Sequence, residues 1–258
     1  MKEKLERCFK IRLLLTGKCT AKCSYCHNEG QTKSANLLTL EYIKEIFGKL
    51  ESKNNLPDEV ILSGGEPTLN KQVKDIAKFL KSKSIYVSMA SHIGHTDLLE
   101  PVLPYLDELK IHLDSFNHDE QLKSMGIPLE NIINSINLAK KYPVKLIVNH
   151  PLINQTKTVE FIESARKMSL DCKIIEEFGN INNIGLDDVD WNKNGYFKYR
   201  CNGFKHVNSS HRLFLKRCDV SHDRERTLFI GAEGIRSKLE VKTSIKDIGK
   251  MDKLVTVI

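Results

Sequence analysis

The sequence lacks several features, and each absence excludes a class of protein. No apolar run approaches the roughly 20 residues that span a bilayer, so neither a membrane span nor a membrane partner is expected. The opening segment "MKEKLERCFKIRLLLTGKC" is charged through Arg12, and its apolar run is too short for a secretory leader. A cytoplasmic location is therefore expected. There is no internal repeat and no low-complexity tract. Although the isoelectric point is near 8.9, no helix-turn-helix or aromatic RNA-binding motif accompanies it, and nucleic acid is not an expected partner. A secreted disulfide framework is also missing: the seven cysteines are odd in number, and three of them are bunched. That usage points to metal or redox chemistry in a reducing compartment.

What is present is ordinary in bulk and uneven in detail. The 258 residues, 40% hydrophobic and 28% charged, suffice for one large domain, or a domain with a small appendage, without disulfide staples. The net charge is +7. Between Tyr196 and Arg226 stand eight Lys/Arg and three acids, so this window carries +5 of the excess. It reads either as a solvated surface or as a site for an anionic small molecule.

Hydrophobic periodicity alternates along the chain. "FKIRLLLT", "EVILSGG", "SIYVSMAS", "ELKIHLD", "VKLIVNHPLI" and "CKIIEEF" read as strands. "LTLEYIKEIFGKLESK", "KQVKDIAKFLKSK", "LENIINSINLAKKY" and "TVEFIESARKMS" read as amphipathic helices, and "DLLEPVLPYL" as a helical stretch broken by Pro101 and Pro104. Strands alternating with helices imply right-handed βαβ units and a parallel sheet. About six units fit before residue 180, and a closed eight-unit barrel usually needs about 250 residues. The expected fold is α/β: a partial (β/α)6 TIM-type barrel over 1–180, with a small α+β C-terminal extension over 181–258. The extension begins with an Asn/Asp/Gly-rich loop, "NINNIGLDDVDWNKNG". "HRLFLKRC" and "RTLFIGAEGIRSKLEV" follow, read as short strands around a turn at Ala232–Gly234.

Two unusual segments fall on one rim of that barrel. "GKCTAKCSYCHNEG" follows the first strand and "SGGEPTL" the second, and parallel α/β folds carry their chemistry at the C-terminal ends of strands. Three nearby thiolates can hold three irons of a cubane cluster and leave the fourth open. A Cys3His zinc site completed by His27 is the alternative, although Cys26 and His27 are adjacent and neighbours rarely reach one tetrahedral ion. Both uses remain open on spacing alone.

The pattern Cys19-x3-Cys23-x2-Cys26 directly after a strand, with Tyr25 before the third cysteine and "SGGEPTL" about 40 residues on, resembles the radical S-adenosylmethionine (SAM) enzymes. "YCHNEG" is most similar to the branch containing the GTP 3′,8-cyclases of molybdopterin biosynthesis. The resemblance covers roughly residues 9–180 and implies a [4Fe-4S] cluster on Cys19, Cys23 and Cys26, with SAM as the second cofactor. It implies that Gly64 and Gly65 allow close backbone approach to the methionine amino group, that Glu66 helps orient that ammonium, and that Pro67 fixes the turn. Tyr25 would border the adenine. Ser91 would lie near SAM's carboxylate, His112 and Asp114 near the ribose, and Asn149 would touch ribose or carboxylate. His112 stands where the family often has a serine.

The extension resembles a degenerate form of the family's auxiliary-cluster element, of the twitch or SPASM type. It keeps Cys201 and Cys218, but Val220 stands where another thiol would complete a Cys-x-Cys pair. Two packing cysteines are expected there rather than a second cluster; Cys172 or a histidine (His206, His211, His222) would be needed to complete one. Cys8 and Cys172 are expected in the core. The implied activity is reductive cleavage of SAM to a 5′-deoxyadenosyl radical, which abstracts hydrogen from a small anionic nucleoside- or nucleotide-like substrate in a cyclisation or rearrangement. An electron donor such as flavodoxin or ferredoxin is the implied partner. A peptide-modifying radical SAM enzyme is the nearer competitor, disfavoured because only about eight residues precede the first strand. A zinc-binding regulatory protein is the competitor of another class.

Overall fold

The computed structural model describes residues 8–26, 28, 31, 36–152, 154–176, 190, 192–200, 203–216, 225–232 and 234–236. Strands β1 (Cys8–Leu14), β2 (Glu59–Ser63), β3 (Tyr86–Ser91), β4 (Glu108–His112), β5 (Lys145–Leu152) and β6 (Asp171–Glu176) lie side by side in chain order, all parallel. Helices α1 (Leu40–Ser52), α2 (Val73–Ser82), α3 (Thr96–Leu99), α4 (His118–Met125), α5 (Leu129–Ala139) and α6 (Gln155–Lys167) connect them. This is the open, partial barrel that the periodicity predicts. The two prolines act as expected: α3 stops before Pro101, and a 3-10 turn follows at Leu103–Tyr105.

The convex face of the sheet is apolar. Ile11, Leu13, Val60, Leu62, Val87, Met89, Leu109 and Ile111 pack against Ile43, Phe47 and Leu50 of α1 and Ile76 and Leu80 of α2. Each such side chain contributes about 1.5–3 kcal/mol when fully buried. Helix starts are marked by side-chain caps: Thr39 Oγ1 accepts from Tyr42 N, and Asn154 from Lys157 N. Helix α4 escapes the periodicity because "HDEQLKSM" buries only Gln121 and Met125. It forms on its ends instead: Asn117 caps its N-terminus, acids occupy its first turn, and Gly126 closes it at φ 69°.

The later strands join the same sheet. They are β7 (Tyr196–Arg200), β8 (Gly203–His206), β9 (Arg212–Lys216), β10 (Glu225–Gly231) and β11 (Gly234–Arg236). Strand β9 pairs parallel with β6, and β10 pairs parallel with β1, giving the order β11-β10-β1-β2-β3-β4-β5-β6-β9-β8-β7. Both edges of the six-stranded sheet are thus covered by chain from beyond residue 195. The β6–β9 seam is fixed by Arg212, whose backbone N and Nε donate to Asp171 at 2.9 and 2.8 Å. Among the described residues, the segment after 190 contains strands and turns only.

The concave face is polar, because alternate strand residues point there. Lys110 Nζ reaches Glu59 (2.6 Å) and Ser88 Oγ (2.9 Å). Lys10 also pairs with Glu59, and Lys145 with Glu108. Glu59, Glu108 and Lys145 open their strands, so this network lies at the end opposite the cysteine loop. Burial opposes ionisation of Glu59, but Lys110, Ser88 and Lys10 outweigh it and hold its carboxyl down at about 2.

Candidate active site

The two motifs read from the sequence are bonded to each other. The amide of Gly65 donates to Thr16 O at 2.7 Å, and that of Glu66 to Lys18 O at 2.7 Å. The glycines are required by this approach. Gly64 has φ +123°, and a Cβ there would stand 2.5 Å from Thr16 O; a Cβ on Gly65 would stand 2.1 Å from Lys18 O. The loop after β2 is therefore a bed for the backbone that enters the cysteine loop. This gives the glycines a role besides the one the resemblance implies.

The cysteine loop presents Cys19 and Cys26 exposed and Cys23 half-buried, all as free thiols. Backbone amides face two of the sulfurs: Ala21 N lies 3.4 Å from Cys19 Sγ, and Asn28 N lies 3.3 Å from Cys26 Sγ. Such amides stabilise thiolate and tune a cluster's potential. Asn28, in the left-handed region at φ 48°, is buried. Its Nδ2 donates to Gly17 O and Gln31 O at 3.1 Å each, tying the loop's exit to its entry. Lys22 N donates to Met125 O at 2.8 Å, which explains why the polar helix α4 sits here. His27 lies outside the described residues. Among the described residues no group of three His, Cys, Asp or Glu could hold a single metal ion; a cubane sets its thiolates farther apart than that.

Glu66 is fully buried and fully occupied. Its Oε1 accepts from Thr68 N (3.1 Å), Thr68 Oγ1 (2.7 Å) and Ser91 Oγ (2.7 Å), and its Oε2 from His92 N (3.1 Å). His92 Nε2 lies 3.3 Å from the same oxygen. Ser91 also accepts from Ile93 N. Glu66 and Ser91 thus bond each other, and both act on the geometry of the β2 and β3 ends. Pro67 opens the 3-10 turn Pro67–Leu69 that this carboxylate caps.

Tyr25 turns from the cysteine loop toward β4. Its hydroxyl lies 2.7 Å from His112 Nε2 and donates a short bond to Asp114 Oδ1. Burial, then the Asp114 charge, keep the phenol protonated. Burial works against charge on His112, but bonds to Asp114 and Cys23 outweigh it and push its pKa up to about 9. Burial likewise opposes the Asp114 carboxylate, and the bonds from His112 and Tyr25 hold its pKa below the usual range. Two buried oxygens in this quarter, Asp114 Oδ2 and Asn149 Oδ1, have no donor among the described residues. His112 and Asn149 are register partners on β4 and β5. The next residue, His150, is core: it stacks on Phe161 at 4.1 Å, and burial pulls its pKa down to about 4.

Several sequence candidates do not gather here. Lys198 and Lys205, of the basic window, are exposed on the outer strands β7 and β8, and Arg212 is engaged with Asp171. His206 and His211 lie at the end of the β7–β8 hairpin remote from the rim, where His211 Nδ1 meets Tyr196 Oη at 2.9 Å. Cys172 is buried in the core. Cys201, Cys218 and His222 lie outside the described residues. Thr20, Asn28, Asn70 and His92 form bonds at the rim that spacing did not reveal. Asn70 Nδ2 donates to Leu15 O and Leu38 O at 3.0 and 2.9 Å.

Residues 13–168 match the family model of the radical SAM superfamily. The chain belongs to the radical SAM superfamily. The chain is 30% identical over 172 residues to a protein of Pyrococcus horikoshii named "Probable GTP 3′,8-cyclase", covering 64% of this chain and 55% of that one. It is 31% identical to a protein of the same name from Thermococcus kodakarensis, covering 64% and 56%. It thus spans about half the length of the curated relatives it matches. Among solved structures, SuiB of Streptococcus suis bound to S-adenosylmethionine aligns with a TM-score of 0.68 at 12% identity, over 93% of this chain and 61% of that one. A second, titled native anSMEcpe with bound AdoMet and a Cp18Cys peptide, gives 0.55 at 15% identity, over 66% and 51%. Those likenesses concern the fold alone.

Radical SAM proteins use a [4Fe-4S] cluster and SAM. The residues present fit both. Three free thiols share one loop with amides aimed at two sulfurs, and a glycine cradle lies beside it. The buried acceptors Asp114 Oδ2 and Asn149 Oδ1 still need donors, which hydroxyl groups of a nucleoside can supply.

Proposed function

We propose that this protein is an enzyme that cleaves SAM reductively and abstracts hydrogen from a small anionic, nucleoside- or nucleotide-like substrate, in a cyclisation or rearrangement. Cys19, Cys23 and Cys26 hold three irons. A [4Fe-4S] cluster held there, reduced by a flavodoxin- or ferredoxin-type donor, would supply the one electron needed to cleave SAM to methionine and a 5′-deoxyadenosyl radical. Gly64 and Gly65 keep the methionine loop against the cysteine loop, and Glu66 with Ser91 holds that loop's shape. Tyr25 borders the adenine, and His112, Asp114 and Asn149 receive the ribose. The observation that carries the reading is the pair of bonds from Gly65 N to Thr16 O and Glu66 N to Lys18 O, which lock the two motifs together just ahead of Cys19.

The anionic substrate is supported by the concave face below the rim. Lys10, Arg12, Lys110, Lys145 and Lys173 share it with Glu59, Glu108 and Asp171, so cations outnumber carboxylates among the described residues there even though Lys10, Lys110 and Lys145 pair with Glu59 and Glu108. The names of the curated relatives point the same way. The test is anaerobic reconstitution with iron and sulfide, then SAM, reductant and a panel of deuterated nucleosides and nucleotides beside peptides. Deuterium passing from a nucleotide into 5′-deoxyadenosine is expected. Transfer from a peptide alone would replace the substrate class. A colourless protein that holds zinc and never fragments SAM would end the reading. Cys19→Ala, Cys23→Ala and Cys26→Ala should each reduce 5′-deoxyadenosine formation to background.

A further inference from the structure

A chain of hydrogen bonds crosses the rim from the methionine loop to the cysteine loop. It begins at Glu66 Oε2 and runs through His92 to Thr20, the residue after Cys19. His92 Nε2 lies 3.3 Å from Glu66 Oε2 and 3.1 Å from Thr20 Oγ1. Thr20 Oγ1 lies 2.9 Å from His95 Nε2. The His92 tautomer follows from one backbone bond. Gly94 N donates to His92 Nδ1 at 2.9 Å, so Nδ1 carries no proton and Nε2 does. That Nε2–H donates to Thr20 Oγ1, while the backbone N of His92 donates to Glu66 Oε2 at 3.1 Å. The same Thr20 hydroxyl bonds His95 Nε2. Burial, reinforced by His95 and His112, holds His92 neutral against the pull of Glu66. The two imidazoles lie 5.6 Å apart, side by side on the segment after β3.

The segment "SHIGH" is shaped for this task. Ile93 takes φ 48°, which brings both histidines back toward the rim, and a Cβ on Gly94 would stand 3.0 Å from His92 Nδ1. Thr20 is itself exposed. It contributes nothing to the core, and its bonds to His92 and His95 tie the cysteine loop to the segment after β3.

We propose that Thr20, His92 and His95 are positioning residues: a hydrogen-bond clasp that holds the cluster-bearing loop in register with the methionine loop. The inference rests on the function proposed above. It predicts that the hydroxyl of Thr20, not its bulk, governs how tightly iron is held and how the cluster responds to SAM.

Thr20→Val keeps the size and removes the hydroxyl; Thr20→Ser restores the hydroxyl. In reconstituted full-length protein, Thr20→Val should lose iron to a chelator roughly 10-fold faster than wild type, the scale for loss of an outer ligand-orienting partner. The SAM-induced change in the electron paramagnetic resonance spectrum of its reduced cluster should weaken, while its thermal midpoint stays at the wild-type value. Thr20→Ser should recover both iron retention and the spectrum. Wild-type behaviour of Thr20→Val, or a Thr20→Ser variant as impaired as Thr20→Val, overturns the clasp while leaving the SAM chemistry standing. Wild-type protein that neither holds about four irons nor cleaves SAM removes the proposed function and the clasp with it.

Discussion

At the lower end of the concave face, charge is answered by charge: Lys110 lies between Glu59 and Glu108, Lys10 pairs with Glu59, and Lys145 with Glu108. At the upper rim the bonding runs mostly through backbone amides and carbonyls and the buried carboxylates of Glu66 and Asp114, and two buried acceptors, Asp114 Oδ2 and Asn149 Oδ1, have no donor among the described residues. The lower end is closed on itself and belongs to stability. The rim has unspent hydrogen-bonding capacity, which is costly to bury unless something else completes it. The same sheet therefore separates holding from binding along the length of its strands.

The sharpest way to break this comparison is at the loop contact. Gly65→Ala places a Cβ 2.1 Å from Lys18 O, a clash with backbone that no rotamer relieves. SAM cleavage should fall to background. The lower network is remote from the change, so the sheet should still fold, with far-ultraviolet circular dichroism close to wild type. Near-normal cleavage would mean that the loops can part without cost, and that their bonds do not define the site.

The second test attacks the lower end. Lys110→Met leaves Glu59 and Glu108 buried without their shared cation. Removing one partner of a buried pair costs about 3–5 kcal/mol, and the Lys110 side chain is only 10% exposed. A urea titration should show that loss, while iron binding per folded molecule should hold. Unchanged stability would assign the network to solvent rather than to the fold.

The same network sets a pH dependence. Glu59 has its carboxyl held down at about 2, below the ordinary glutamate value near 4.3. Its contribution is therefore complete above the ordinary value, where both folded and unfolded forms are ionised. It is lost as pH falls toward 2, because the unfolded chain takes up the proton first. Unfolding free energy should drop between about pH 4.3 and pH 2, and Glu59→Gln should flatten that slope. An equal slope in the variant would place the acid sensitivity elsewhere.

How much of this was legible beforehand depended on range. The strands and most helices were written in local periodicity: Ile43, Phe47 and Leu50 already share one helical face on paper. Helix α4 was not, since caps and a closing glycine make it rather than an apolar stripe. The return of β9 and β10 to opposite edges was invisible, because pairing across some 40 and 210 residues leaves no local mark. At the rim, the cysteines and "GGEP" announced themselves by spacing. The bonds among Glu66, Ser91 and His92 did not, because they join loops from two different strands. For Gly64 and Gly65 the motif indicated that side chains are barred; only the fold identified the barrier as the cysteine loop's own carbonyls.

The finest test concerns one atom. Asn149 Oδ1 is buried with no donor among the described residues, so without a ligand it is a small liability. Asn149→Leu removes it at similar size. If the oxygen exists for a ligand, the change should leave stability unaltered or raise it slightly, since an unsatisfied acceptor is lost. Affinity for SAM should meanwhile fall by about 10-fold, the value of one hydrogen bond near 1.5 kcal/mol. Thermal denaturation and equilibrium dialysis with SAM read the two effects separately. A fall in stability with unchanged SAM binding would reverse the reading and make Asn149 part of the scaffold, leaving Asp114 Oδ2 as the rim's open acceptor. The expected split, stability one way and affinity the other, is what separates a group kept for binding from one kept for folding.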